Sequence, residues 1–269
     1  MQERNFNSSM NNIDPNSCVD IFNKHSYGET YDWFSTDSEE SFKEAKEAWG
    51  DGLPWEKDSI TYRINSHGFR GDDLHPVDGD SFIALGCSFT FGVGVKEEQT
   101  WPSMLSESLG MHGYNLGASA HGVETMFRVL DYWLPRLRSK HVFLLVNPGV
   151  RREFFNADKS PNRFYTLTAW SSKYDVHSFD AHRFLHEREA YISKRRALYA
   201  IKGLCDVSNV TLDILETDKG EVIDGLTRHI AKPNFENDCD DRGRDTMHPG
   251  PKYNVKVSRD FERTFKQYK

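Results

Sequence analysis

Two short stretches far apart in the chain hold the residue types needed for acyl-transfer chemistry. Residues 81–94 read SFIALGCSFTFGVG, with Ser88 just beyond an apolar run that Gly86 closes. Residues 243–250 read GRDTMHPG, with Asp245 and His248 three apart. In a tight turn that spacing lets a carboxylate accept from the imidazole Nδ1–H. The bond fixes the tautomer and leaves Nε2 as a general base. A serine hydroxyl is a weak nucleophile until such a base takes its proton. On its own stretch Ser88 has a second reading, as an N-cap of the following helix, where serine is favoured for backbone reasons. In a chain with eleven histidines, Asp-x-x-His is a weak signal alone. It gains weight from lying late, after the sheet elements, where the loop can return to the strand ends.

The elements that must position these residues are legible from periodicity. Phe82, Ile83, Ala84 and Leu85 form the continuous apolar run of a strand buried on both faces. Ser88 then falls outside its carboxyl end, where open α/β sheets place their ligands. Apolar residues Trp101, Met104, Leu105 and Leu109 predict a helix over 99–109, ended by Gly110. Residues 113–117 predict a strand closing on Gly117, 121–139 a helix, and 141–147 a third, nearly all-apolar strand. A helix over 187–207, a strand over 210–215 and a terminal helix over 251–268 complete the pattern. Strand and helix in alternation predict a doubly wound, mostly parallel sheet with a site along one edge. Residues 151–186 read as an irregular insertion shaping the rim, and 218–241 carry no assignment.

Ahead of the first core strand, residues 1–24 are rich in Asn, Ser and Asp and read as a mobile arm. Residues 27–56 are dense in aromatics, with a short helix at 38–49, and are expected to pack over the main domain as a cap. Residues 60–65 alternate like a half-buried strand, and 66–72 form a loop. The domain division expected is therefore 1–59, arm and cap-like extension, and 60–269, main domain. The Arg70-Gly71-Asp72 tripeptide is given no weight.

The chain has 269 residues, a net charge of −7, 37% hydrophobic and 13% aromatic residues. With no basic block, nucleic acid is not expected as the main partner. No apolar run approaches the ~18–20 residues that cross a bilayer, so no membrane association is expected. The first twelve residues lack an apolar signal region, and Cys18, Cys87, Cys205 and Cys239 show no metal or disulfide spacing. Reduced thiols and a cytoplasmic location are the expectation. Gly92-Val93-Gly94 lacks the rest of a nucleotide fingerprint. Asp238, Asp240, Asp241 and Asp245 do not match an EF-hand loop and read as a solvated charge run. Cys87 reads as a buried, inert thiol.

Four blocks in order resemble the SGNH (GDSL) hydrolases: Gly86-Cys87-Ser88, Asn115-Leu116-Gly117, Asn147 after the third strand, and Asp245-Thr246-Met247-His248. The resemblance runs from about residue 60 to the C-terminus. Cys87 stands where the family has aspartate, and the glycine and aspartate around Asn147 are missing. The resemblance implies a flavodoxin-like α/β/α sandwich and a serine esterase working without metal or organic cofactor. It implies Ser88 as nucleophile, His248 as base and Asp245 as its partner. The backbone N–H groups of Ser88 and Gly117 and the Asn147 amide are then the candidate oxyanion donors. The substrate expected is a small-molecule or glycan ester, such as a short-chain or O-acetyl ester of a carbohydrate. Two alternatives use the same residues or the same fold: an O-acyltransferase, and a binding or structural module whose catalysis is impaired.

Overall fold

A computed structural model describes residues 28–147, 151–156, 163–168, 187–219, 222–233 and 241–268. In chain order the elements are β1 (Thr30–Tyr31), α1 (Glu39–Trp49), β2 (Tyr62–Arg63), β3 (Ser81–Gly86), α2 (Ser88–Phe91) and α3 (Trp101–Leu109). There follow β4 (His112–Gly117), α4 (Val123–Leu137), β5 (His141–Val146), β6 (Arg151–Asn156), β7 (Arg163–Thr168) and α5 (Glu187–Val207). The last are β8 (Thr211–Glu216), β9 (Arg228–His229) and α6 (Pro251–Tyr268). Among the described residues, β4-β3-β5-β8-β9 lie side by side in one sheet, every pairing parallel. Counted along the chain, that order is 2-1-3-4-5, the flavodoxin-like arrangement expected from sequence.

The central strands β3 and β5 are buried on both faces, and side-chain alternation sorts the sheet's apolar residues into two cores. Phe82, Ala84, Phe143, Leu145 and Leu215 point to one face, against Trp101 and Leu105 of α3 and Tyr253, Val257 and Phe261 of α6. Ile83, Leu85, Val142, Leu144 and Ile214 point to the other, against Met126, Leu130 and Trp133 of α4 and Leu198 and Ile201 of α5. Helices thus cover both faces, giving three layers.

The second core does not stop at the sheet. Phe34, Phe42, Leu53, Trp55, Ile60 and Tyr62 belong to the same buried cluster as Ile83 and Leu85. Phe34 stacks on Phe91 of α2, centroids 4.5 Å apart, a pairing worth about 0.5–1.5 kcal/mol beyond its buried area. Helix α1 starts where expected: the Ser38 hydroxyl accepts from Ser41 N at 3.1 Å, with Glu39 and Glu40 in the first turn.

Three segments differ from the expectation. The strand expected at 60–65 keeps its alternation, with Ile60, Tyr62 and Ile64 buried, but only Tyr62–Arg63 forms a strand, against Thr30–Tyr31, and Ile64 makes a lone bridge to Arg70. The insertion contains a regular antiparallel hairpin, β6 on β7. Glu124 of α4 accepts Glu153 N at 2.6 Å and pairs with Arg152, pinning that hairpin to the start of α4. Within 218–241, Arg228–His229 adds the fifth strand, held by Arg228 gripping Asp213 of β8 at 2.7–3.1 Å. Residues 1–27 and 169–186 lie outside the described residues.

Candidate active site

Ser88 opens α2 directly beyond the carboxyl end of β3. Its side chain is enclosed, at 5% exposure. The turn is tight: a Cβ on Gly86 would lie 2.0 Å from Thr90 Oγ1 and 2.9 Å from the Leu145 carbonyl, so only glycine fits. Arg70 secures the chain beyond Ser88. Buried to 2% exposure, its guanidinium donates to the carbonyls of Gly92, Val95 (2.9 Å) and Thr61 (3.0 Å) and stacks over the Tyr62 ring. Burial pulls the Arg70 pKa down, but three carbonyl contacts suit the charged form.

Asp245 and His248 sit on the loop before α6, and that loop is laid on the Ser88 turn. Arg244 N donates to the Gly94 carbonyl at 2.8 Å, and the His248 imidazole meets the Phe89 ring edge-on at 5.8 Å. His248 Nδ1 lies 2.6 Å from Asp245 Oδ2, so Nδ1 carries the proton and donates. Asp245 Oδ1 accepts the backbone N–H groups of Met247 and His248, each at 3.1 Å. Burial pushes the Asp245 carboxyl up, but the His248 charge and the bonds from His248 and Thr36 outweigh it, leaving a net lowering. The sheet edge therefore carries a buried carboxylate, an imidazole oriented by it, and a serine on the adjoining turn. Among the described residues no hydrogen bond joins Ser88 Oγ to His248; the side-chain neighbour of Oγ is Cys87 Sγ at 3.7 Å.

Gly117 ends β4 against α2. A Cβ there would lie 2.3 Å from Phe91 N, so close backbone packing demands glycine. Its N–H donates to the Asn115 side chain at 3.0 Å, and Asn115 Nδ2 donates to Thr90 O. Asn147 follows β5 and its amide contacts Cys87 Sγ at 2.8 Å, while its Oδ1 is buried with no partner among the described residues. Cys87 itself is buried and free.

Two polar clusters were beyond sequence reasoning. Asp37 and Arg244 form a buried ion pair, Oδ2 to Nη2 2.9 Å, with Tyr62 Oη donating to the same carboxylate at 2.5 Å. Burial raises the Asp37 pKa and the Arg244 and Tyr62 bonds oppose it. Thr36 Oγ1 reaches Asp245 Oδ2 at 2.6 Å. Nothing in composition or periodicity brings residues 36 and 37 to residues 244 and 245. The acidic run resolves differently: Asp241 accepts from Lys252 N and Tyr253 N and so caps α6, while Asp238 and Asp240 lie outside the described residues. The aromatics of 28–55 go mainly into the core, apart from Trp49, which is exposed under Arg242.

No protein-family model matches the chain, and no curated protein matches its sequence. Its structure is similar to esterase EstA from a Pseudoalteromonas species, at 13% identity and TM-score 0.44, over 71% of this chain and 98% of that one. It is also similar to the acetyl xylan esterase Est2A of the rumen bacterium Butyrivibrio proteoclasticus: 12% identity, TM-score 0.45, 73% of this chain and 66% of that one. A family two carbohydrate esterase from Cellvibrio japonicus is similar at 11% identity and TM-score 0.41, over 77% of this chain and 65% of that one. Among the described residues no helix is long and apolar enough to cross a membrane.

Proposed function

We propose that the chain is a serine ester hydrolase of the SGNH type. The observation that carries this reading is the 2.6 Å contact of His248 Nδ1 with buried Asp245, on a loop seated against the turn that presents Ser88. The Ser88 Oγ proton passes to His248 Nε2 as Oγ bonds to the ester carbonyl carbon. Asp245 holds the imidazole and stabilises the imidazolium. His248 then gives the proton to the departing alkoxide as its C–O bond breaks, leaving an acyl-serine. Water repeats the sequence on the acyl-enzyme and releases the acid. Nucleophile–base bonds commonly tighten only when substrate enters.

The Ser88 N–H, the Gly117 N–H and the Asn147 amide are the proposed oxyanion donors. Turning the Asn147 amide over lets the Cys87 S–H donate to Oδ1, which otherwise has no partner among the described residues, and leaves Nδ2 with its donors unspent. A serine this enclosed suits a small acyl group, so short-chain esters and O-acetylated carbohydrates are the proposed substrates. The test is hydrolysis of p-nitrophenyl acetate and of acetylated xylan, with Ser88→Ala as blank. Turnover lost in that variant supports the reading.

The impaired-module alternative has its own support: Gly117 N–H is occupied by Asn115, and Ser88 Oγ is not bonded to His248. Absence of turnover on every ester, with sugar binding retained, selects it. Acyl transfer to a sugar hydroxyl uses the same residues and is separated by product analysis.

A further inference from the structure

The segment ahead of the first core strand sends one side chain into the catalytic apparatus. Residues 34–37 form a tight turn closed by paired backbone bonds, Phe34 N to Asp37 O at 2.9 Å and Asp37 N to Phe34 O at 3.1 Å. Thr36 is at its tip. Both flanks of the turn are anchored in the interior. Phe34 is stacked on Phe91, three residues beyond Ser88, and Asp37 is locked to Arg244, the neighbour of Asp245. Arg244 also donates to the carbonyls of Asp32 and Lys57, so the same guanidinium ties two points of the N-terminal segment to the loop. Ser35, beside Thr36, adopts φ 58, a left-handed conformation costly for serine that the anchored flanks impose.

The result is a hydroxyl aimed at one atom. Thr36 Oγ1 is 2.6 Å from Asp245 Oδ2 and 3.4 Å from His248 Nδ1. Nδ1 already spends its proton on Oδ2, so the threonine proton goes to Oδ2 as well. Oδ2 then accepts two short bonds and Oδ1 two backbone bonds. A buried carboxylate with four donors has one orientation, and that orientation sets the plane of the imidazole.

We propose that Thr36 is a positioning residue for the Asp245–His248 pair, so that residues ahead of the hydrolase core complete its catalytic machinery. This rests on the reading of Ser88, Asp245 and His248 given above. Thr36 touches no reacting atom; it acts through Asp245. A hydrogen bond to a charged group of this kind is worth roughly 10-fold to 100-fold in a rate that depends on it.

The test compares wild type, Thr36→Val and Thr36→Ser on p-nitrophenyl acetate, with urea unfolding of each and the rate of fluorophosphonate labelling at Ser88. Thr36→Val is isosteric and removes only the donor. The expected result is kcat lower by about 10-fold to 100-fold with KM unchanged, labelling slowed in parallel, and turnover restored by Thr36→Ser. Wild-type rates in Thr36→Val overturn the proposal. So does a Thr36→Ser variant as slow as Thr36→Val at equal stability, which assigns the effect to the methyl group's packing. If Thr36→Val unfolds, Thr36→Ser alone decides: activity near wild type upholds the hydroxyl's role, and loss in a folded protein rejects it. A wild-type protein that neither turns over ester nor is labelled brings down the underlying reading, and this inference with it.

Discussion

Asp37 and Arg244 stand 207 positions apart in sequence and meet in an ion pair with both side chains at 0% exposure. The guanidinium is fully used, on Asp37 and on the carbonyls of Asp32, Lys57 and Ile60, and it lies 4.0 Å over the Trp33 ring. This pair fastens the N-terminal segment to the loop that carries Asp245 and His248.

Removing one partner leaves the other charged and buried. Arg244→Met and Asp37→Ala are each expected to cost about 3–5 kcal/mol, read as the shift in the urea midpoint. The double variant should cost less than the sum, because no unpaired charge remains. Strict additivity would show that the two groups are not coupled.

Gly94 and Gly243 press backbone to backbone beneath Asp245. A Cβ on Gly94 would lie 2.9 Å from Gly243 Cα and 3.0 Å from Asp245 Oδ1, and Gly94 has φ +79. Gly94→Ala is therefore expected to lose about 1–3 kcal/mol and to cut kcat by pushing the Asp245 loop outward. Normal kcat at normal stability would mean that the loop does not rest on Gly94.

His121 gives the fold an acid-sensitive point. Burial lowers its pKa from 6.5 to about 4; the Ser119 carbonyl at 2.7 Å and Glu153 oppose the shift, and Arg128 and Arg151 add to it. A histidine with a depressed folded pKa holds fewer protons folded than unfolded, so protonation favours unfolding. Its contribution is intact above the unfolded value and is lost as pH falls through 6.5 toward about 4. Between about pH 7 and about pH 5 the loss should reach about 2 kcal/mol. Urea midpoints of wild type and His121→Gln should converge as pH falls across that range. A difference independent of pH would contradict the assignment.

Asn147 is the least family-like of the proposed oxyanion donors, since its flanking residues depart from the pattern. Asn147→Ala is expected to lower kcat by about 10²–10³-fold with little change in KM. Unchanged kcat would confine Asn147 to contacting Cys87.

Much of this architecture was legible in the sequence. The runs at Phe82–Leu85 and Val142–Val146 are apolar at every position because those strands are buried on both faces, and a period of 3.6 marked α3, α4 and α6. The spacing of Asp245 and His248 anticipated the contact the structure shows between them, at 2.6 Å. What stayed hidden depends on tertiary contact. Strand β9 is two residues long, too short for any periodicity. The β6 segment, Arg151–Asn156, shows no period-two alternation that would mark it as a strand. Thr36 and Asp37 look like ordinary polar residues ahead of a helix until the chain brings residues 244 and 245 to them. Gly117 is required because a side chain would strike Phe91, and nothing in the sequence shows that Asn115 takes its N–H.

The central claim is that Ser88 is a nucleophile activated by His248. The most direct measurement is intact-protein and peptide mass spectrometry after treatment with a fluorophosphonate. The account predicts one phosphonyl adduct on the Ser88 peptide, absent in Ser88→Ala and slowed on the order of 10³-fold or more in His248→Ala. A folded protein left unmodified at Ser88, or labelled equally fast without His248, contradicts it.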